Sequence, residues 1–481
     1  MKYQILFFTL GLLLVINGMM QIAPLLVDMR NDHHNAIIFF WCALFSFFAG
    51  GLLIINGQGF ERVLTLRQTY LLTVLSWVMM SLFSANPLYF SDLHVSYTDA
   101  VFEAVSGITT TGSTVLTGLD NMSHGILLWR SMIQWVGGMG IVVFAILLLP
   151  FLKVGGMQLY KTESSDKSDK ILPKTGSLVM ALVTVYVGLT LLCSLAYYLL
   201  GMTSFDAVNH AMTTLSTGGY STHDKSFGFF DNHPLYLTGT LFMLLGGLPF
   251  VLYIKLLYRG EWEFHRSPQV YTLMILLGVL VFLVGGHLVW TNQMGVWDAF
   301  VQSLFHLVSL ITTTGYATSD YLTWGAPVVM ICLFVTYLGS CTGSTSGGLK
   351  MMRLIISLQA LKAQIFKLLY PHGVMTLHYE HKNVPPAVFQ GVLVFLCLYV
   401  ASNAVMTILL ALTGLDFMTA LSGAATAIAN VGPGIGDIIG PAGNFSTLPD
   451  SAKWILCLGM VMGRLEIMSF LVLFIPSFWK G

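Results

Sequence analysis

Four short polar runs, each closing on a glycine, carry the residue types that could do chemistry in this chain. They are ITTTGST (Ile108–Thr114), LSTGGYST (Leu215–Thr222), ITTTGYAT (Ile311–Thr318) and IANVGPG (Ile428–Gly434). Aligned, they put Gly112, Gly219, Gly315 and Gly432 in equivalent places. Before these stand Thr110 and Thr111, Thr217 and Gly218, Thr313 and Thr314, and Asn430 and Val431. Glycine admits backbone conformations that a side chain forbids, so each run can turn carbonyl oxygens toward a shared space. Such carbonyls replace part of a cation's hydration shell. Four copies of one device imply four walls around one hole, and in a membrane the simplest such hole is an ion pathway.

A second residue with chemical consequences is Arg464, inside the apolar stretch LCLGMVMGRLEIMSFLVLF (Leu456–Phe474). A charge at the centre of a membrane helix costs about 2.5–3.5 kcal/mol on insertion scales, which implies a function or a dedicated partner. Glu466, two residues on, cannot share a helical face with it. If Arg464 faces the ion path at roughly 5 Å, it repels a passing cation by about 3 kcal/mol at an effective dielectric of 20. The other reading is an inter-helix ion pair or a bond to loop carbonyls, and the two are compatible.

The elements that must position these groups are helices in a bilayer. The composition is 56% hydrophobic and only 9% charged, with a mean hydropathy of +0.77, far from a soluble globular mix. Apolar stretches of membrane-spanning length predict ten helices, near residues 3–27, 37–57, 69–90, 124–150, 176–200, 235–258, 269–291, 326–348, 385–412 and 452–478. Lys and Arg crowd the loops of one face, at 151–175, 259–268 and 350–384, while the other face has only Arg30, Lys225 and Lys453. This places both termini and the basic loops in the cytoplasm. The zero formal net charge therefore conceals a polarised chain and argues nothing for nucleic acid. The six cysteines all fall in apolar stretches without CxxC spacing, as packing residues do. No nucleophile, base or metal cluster assembles from the motifs, so nothing supports an enzyme.

Each glycine run follows an amphipathic half-helix: YTDAVFEAVSG, SFDAVNHAMTTL, VWDAFVQSLFHLVSL and LDFMTALSGAATA. Asp99, Asp206, Asp298 and Asp416 lie near their N-termini, where a carboxylate caps free N–H groups and suits the positive dipole end. A long apolar helix precedes and follows every half-helix. The expected fold is thus all-α and integral to the membrane, with four tandem repeats of helix, pore helix, filter loop and helix in pseudo-fourfold arrangement around one pore. An N-terminal two-helix hairpin (1–66) precedes repeats at 67–160, 161–262, 263–383 and 384–481. Because each repeat crosses twice, the four turns share one depth on the outer side, where irregular backbone is tolerated only if it is buried or lines a cavity.

These motifs resemble the Trk/Ktr/HKT superfamily of potassium transporters, in particular its bacterial potassium uptake membrane subunits, over essentially the whole chain. The resemblance implies one filter glycine per repeat in a channel-like pore, with potassium as substrate and no cofactor on this chain. Potassium would bind at Thr110, Thr111, Gly112, Thr217, Gly218, Gly219, Thr313, Thr314, Gly315, Asn430, Val431 and Gly432. In plant relatives a serine at the first glycine accompanies sodium selectivity, so Gly112 favours potassium. Gly218 and the Asn430-Val431-Gly432-Pro433 run depart from the Thr-rich pattern and imply a short filter that leaks ions such as rubidium and sodium.

The polar segment YLGSCTGSTSGGLKMMR (Tyr337–Arg353) resembles the intramembrane loop that plugs the pore in this family. Gly343, Ser344, Thr345, Ser346, Gly347, Gly348 and Arg464 are then the gate. Its GSTSGGLK stretch is no P-loop, since the lysine comes one position late and no Ser or Thr follows. His210 and His306, on the second and third half-helices, read as hydrogen-bonded packing residues in preference to a proton relay. Arg130 either snorkels or pairs with an acid, and Glu103 either draws cations or supports its half-helix. The linker KTESSDKSDKILPK (Lys161–Lys174) and the amphipathic LQALKAQIFKLL (Leu358–Leu369) are docking candidates. By resemblance, control comes from a separate cytoplasmic ring of nucleotide-binding, TrkA-like regulator subunits acting on a homodimer in the bacterial inner membrane. A secondary transporter coupled to protons or sodium is the alternative.

Overall fold

The computed structural model describes residues 3–59, 65–147, 175–372, 376, 378–380 and 382–480. Lys153, the Lys161–Lys174 linker and Arg62 lie outside them. The chain is built almost entirely of helices. The N-terminal part comprises α1 (Gln4–Met20), α2 (Ile22–Arg30) and α3 (Asn35–Asn56). Where α1 crosses α3, a Cβ on Gly11 would lie 2.6 Å from the Gly50 carbonyl oxygen. Only backbones lacking side chains approach so closely, which is how membrane helices gain contact without a hydrophobic driving force.

Four units follow, each with a short buried helix between longer ones. They contain α4 (Leu66–Phe90), α5 (Tyr97–Ile108) and α6 (His124–Leu147), then α7 (Thr175–Leu199), α8 (Ser204–Leu215), α9 (His233–Gly247) and α10 (Phe250–Arg259). Next come α11 (Pro268–Trp290), α12 (Val296–Ile311), α13 (Ala326–Tyr337) and α14 (Met351–Leu369). The last unit has α15 (Pro386–Leu412), α16 (Phe417–Ala429), α17 (Asp450–Arg464) and α18 (Ile467–Leu471). A two-residue antiparallel ladder, His378–Tyr379 with Lys382–Asn383, lies between α14 and α15.

Among the described residues seven helices are long and apolar enough to cross a membrane, or nine if each bent pair is one span. The long helices turn large apolar side chains outward, such as Phe282 and Trp290 of α11, whereas α5 is entirely buried after its first three residues, from Ala100 to Ile108. The short helices are therefore the centre of the molecule. Five cysteines are buried and Cys397 is exposed.

Three of the ten expected spans differ from continuous helices. The stretch expected at 235–258 breaks between α9 and α10 with an 88° bend. Pro249 causes it, because a proline cannot donate to the ladder and drives the preceding residue, Leu248, out of the helical region (ψ 158°). The stretch expected at 452–478 breaks after Arg464 with a 112° bend, through Glu466 at φ 61°. Arg464 thus ends a helix, and the placement at a helix centre is corrected. The stretch expected at 326–348 is helical only to Tyr337, where the polar segment begins.

The short helices start as their acidic residues require. Ser96 and Thr203 each accept the N–H of the aspartate three residues on, Asp99 and Asp206, and each hydroxyl donates back to that carboxylate. Asp416 is itself the N-cap and accepts from the Thr419 N–H. Asp298 has the same third position behind a glycine cap. Each arrangement supplies an acceptor to donors that the first helical turn leaves free.

Candidate functional site

Every short helix ends on a residue in the left-handed region: Thr110 (φ 52°), Thr217 (φ 51°), Thr313 (φ 58°) and Asn430 (φ 56°). The next residue donates its N–H to the carbonyl five positions back, Thr111 to Ser106 at 2.8 Å, Gly218 to Thr213 at 2.9 Å, Thr314 to Ser309 at 2.8 Å and Val431 to Thr426 at 3.1 Å. This is the closure that helices make with a left-handed residue after the last turn. Asparagine tolerates that region, but a β-branched threonine does not. Each of the three threonines therefore stores strain of about 1–3 kcal/mol, held by its surroundings.

The glycines that follow are left-handed too, with φ of 87° at Gly112, 76° at Gly219, 79° at Gly315 and 112° at Gly432. A Cβ on Gly112 would collide with the carbonyl oxygen of Gly218, one on Gly219 with that of Thr314, and one on Gly315 with that of Val431. A Cβ on Gly432 would lie 2.9 Å from the Thr111 oxygen. Each glycine packs against the carbonyl just before the next glycine, and the fourth returns to the first. All four line a single open cavity, together with Ser113, Ser221 and Asp224. Of the twelve residues singled out in the sequence, these contacts join Thr111, Gly112, Gly218, Gly219, Thr314, Gly315, Asn430, Val431 and Gly432, while Thr217 and Thr313 bond the polar loop below and Thr110 makes no such contact among the described residues.

Polar ties hold this ring. The Gln134 amide donates to the Gly218 carbonyl (2.8 Å) and accepts from the Tyr220 N–H (3.0 Å). Ser113 donates to the Gly432 carbonyl at 2.8 Å, and the Asn430 amide donates to Thr111 Oγ1 at 2.9 Å. Behind the first two turns lies an ion pair, Arg130 Nε to Glu103 Oε1 at 2.8 Å, with both side chains at most 1% exposed. Glu103 also accepts from Thr114 and the Val115 N–H, and Arg130 donates to the Ser221 carbonyl and covers the Tyr220 ring. Arg130 therefore pairs with an acid, though that acid is Glu103 of α5 and not one outside, and Glu103 ties α6 and the Thr114–Val115 segment to α5. His210 and His306 are buried and bonded through both ring nitrogens, to Asp206 O and Ser221 Oγ, and to Gln302 O and Ser319 O.

The polar segment forms a loop from Leu338 to Lys350, closed at its neck by a parallel bridge of Leu338 with Leu349. It lies against the ends of three short helices. Thr345 Oγ1 donates toward the Leu215 carbonyl (3.1 Å) and the Gly246 carbonyl (3.0 Å), and the Gly347 N–H donates to Thr313 Oγ1 (2.7 Å). The Phe250 N–H, at the start of α10, donates to the Gly343 carbonyl at 2.9 Å. The bend after α9 thus has a purpose: it leaves a helix start free to hold the loop. Arg464 lines one cavity with Gly343, Ser344, Ser346, Gly347 and Gly348, and among the described residues none of its guanidinium nitrogens has a hydrogen-bond partner. Thr345 is directed elsewhere, to α8 and α9.

Sequence reading missed three parts of the site. Lys350 Nζ donates to the Ser346 carbonyl and to Ser346 Oγ (3.1 Å). Arg353, the first-turn arginine of α14, pairs with Glu466 at 2.6 Å; only the three-dimensional fold joins residues so far apart. At the rim of the upper cavity, His223 Nδ1 bonds Asp120 at 2.5 Å, while Nε2 lies 3.5 Å from Asp206. His223 follows the second glycine by four residues, a spacing that alone gave no sign of its partners.

The sequence profile described as TrkH, cation transport protein, matches residues 33–283 and 267–480. A Trk system potassium uptake protein TrkI of Halomonas elongata is 48% identical, covering 86% of this chain and 84% of that one. The TrkH potassium uptake protein of Vibrio parahaemolyticus is 34% identical over the full length of both chains. The crystal structure of the potassium transporter TrkH from Vibrio parahaemolyticus superposes with a TM-score of 0.92 at 32% identity, again covering both chains completely.

Proposed function

The chain belongs to the TrkH family of cation transport proteins, and we propose that it carries potassium into the cell through a gated, channel-like pore whose filter is the ring of glycine turns. Potassium uptake is the activity of the relatives it matches end to end. The observation that carries the filter assignment is the closed contact order, Gly112 to Gly218, Gly219 to Thr314, Gly315 to Val431 and Gly432 to Thr111, around one shared cavity. Left-handed backbone at four equivalent places, strained at the three threonines, supports it, since such strain collects where a fixed geometry is used. The four short helices point their negative C-terminal ends at the ring, which favours a cation there.

The loop from Leu338 to Lys350 and Arg464 form the gate beneath it. Arg464 adds electrostatic repulsion to the loop's steric block, and a barrier of about 3 kcal/mol slows passage roughly a hundredfold. The four repeats, with the boundaries given above, surround the pore in pseudo-fourfold order, and the termini face the cytoplasm of a bacterial cell. A homodimer under a TrkA-like regulator ring completes the assembly. Four parallel repeats favour this reading over alternating access, which inverted repeats commonly serve.

Flux of potassium, rubidium and sodium into liposomes containing the purified chain tests it. Gly112→Ser should erode potassium preference, because its Cβ displaces the Gly218 carbonyl, and Arg464→Ala should raise flux. Currents should reverse at the potassium equilibrium potential regardless of a proton gradient. Wild-type behaviour in both variants sinks the filter and gate assignments, and a pH-dependent reversal potential indicates the coupled carrier.

A further inference from the structure

Arg464 presents an electrostatic problem that the gate alone does not solve. It is 3% exposed, and Nε, Nη1 and Nη2 all lack a hydrogen-bond partner among the described residues. A buried guanidinium without acceptors is costly, and proteins pair or neutralise such groups. Its nearest acid in sequence, Glu466, is taken by Arg353 at 2.6 Å. Lys350 lines the same cavity as Arg464. Glu466 lines that cavity too, and with Arg353 bound to it three basic side chains share a single carboxylate among the described residues.

The cavity itself says what completes the set. It lies between the polar loop and the α17–α18 bend, and Arg464 and Lys350 reach it from opposite elements. Among the described residues Lys350 Nζ bonds only Ser346, and an ammonium has three donors. Arg464 has its whole planar fork to offer. The cavity has room for more than one water-sized sphere, which admits a monatomic anion.

We propose that this cavity is a chloride site, with the ion held between the Arg464 guanidinium and the Lys350 ammonium. Binding neutralises part of the positive charge beneath the glycine ring. Resting on the gate reading, the bound anion lowers the electrostatic barrier to a cation, so chloride acts as a permissive ion for transport.

The binding claim and the gate reading are tested separately. Crystals of the full chain grown with bromide in place of chloride should show an anomalous peak within hydrogen-bond reach of Arg464. The peak should vanish in Arg464→Gln. Absence of the peak in wild type, or its persistence in Arg464→Gln, overturns the site. In case that variant folds poorly, the melting temperature of wild type and of Lys350→Met is compared in chloride and in gluconate. The wild type should be several degrees more stable in chloride and Lys350→Met should lose most of that difference; no chloride-dependent shift in wild type overturns the proposal. Rubidium flux into liposomes then addresses the gate. Several-fold faster flux in chloride than in gluconate supports both readings, whereas a bromide peak with anion-independent flux upholds the site and removes the gate role.

Discussion

Arg130 and Glu103 show how a buried charge pair can hold a strained ring in place. With both side chains sealed from solvent, removing one partner leaves the other uncompensated, at a cost of about 3–5 kcal/mol, whereas removing both is far milder. Thermal unfolding in detergent should therefore show Arg130→Met strongly destabilised and the double variant Glu103→Gln/Arg130→Met partly restored. Equal losses in the two would mean that packing, not charge, is what the arginine supplies. His223 behaves differently because it is reachable from outside. Burial works against its charged form, but Asp206 and Asp120 raise its pKa above the ordinary value near 6.5. A raised folded-state pKa means that the stabilisation is complete below about pH 6.5 and is lost as pH rises through the folded value. The groups facing the ring are Asp120, Asp206 and the stacked His210, with Phe229 covering one face at 3.5 Å between ring centres. The melting temperature of wild type should fall across that alkaline range. His223→Phe, which keeps the stack, should give a flatter profile, and identical slopes would exclude His223 as the source.

At the scale of elements, the loop is the piece most open to dissection. Thr345 ties it to the end of α8, to α9 and to Thr217, so one hydroxyl links the loop to two helices and a glycine turn. Thr345→Val keeps the shape and removes those bonds, each worth about 0.5–1.5 kcal/mol. Basal potassium flux should rise several-fold while the potassium to sodium ratio stays at the wild-type value. A changed ratio with unchanged flux would mean that the loop shapes the filter instead of closing the path. The short helices themselves were legible in the sequence, because each combines an acidic first turn, an amphipathic body and a polar run that ends on glycine. The bends were less so. Gly246-Gly247-Leu248-Pro249 has a proline that announces the first break, yet the apolar residues on both sides read as one span. The break at Leu465 and Glu466 has no such marker, since a left-handed glutamate is stabilised by its distant partner Arg353 and not by local preference.

For the whole molecule, sequence periodicity reached the order of elements and the equivalence of four turns, but not the contacts that cross between units. Asn430 could be recognised as a residue suited to a left-handed turn; its bonds to Thr111 and the Met460 carbonyl could not. The same holds for Lys453 of α17, which reaches Asp99 of α5 at 2.6 Å. These contacts join the last unit to the first. Phe445 adds another, its N–H donating to the Thr114 carbonyl at 2.9 Å. The seam has a consequence for how the protein is made. During synthesis the segments that form the first three sides of the ring leave the ribosome well before Asn430, Val431 and Gly432 exist. Until then Thr111 lacks its neighbour, and the passage has a missing wall instead of a finished constriction. On the proposed filter reading, the nascent chain cannot sort ions before its final segment has been inserted, so quality control on the C-terminal unit is also control over whether a membrane acquires a selective path or an unfinished one.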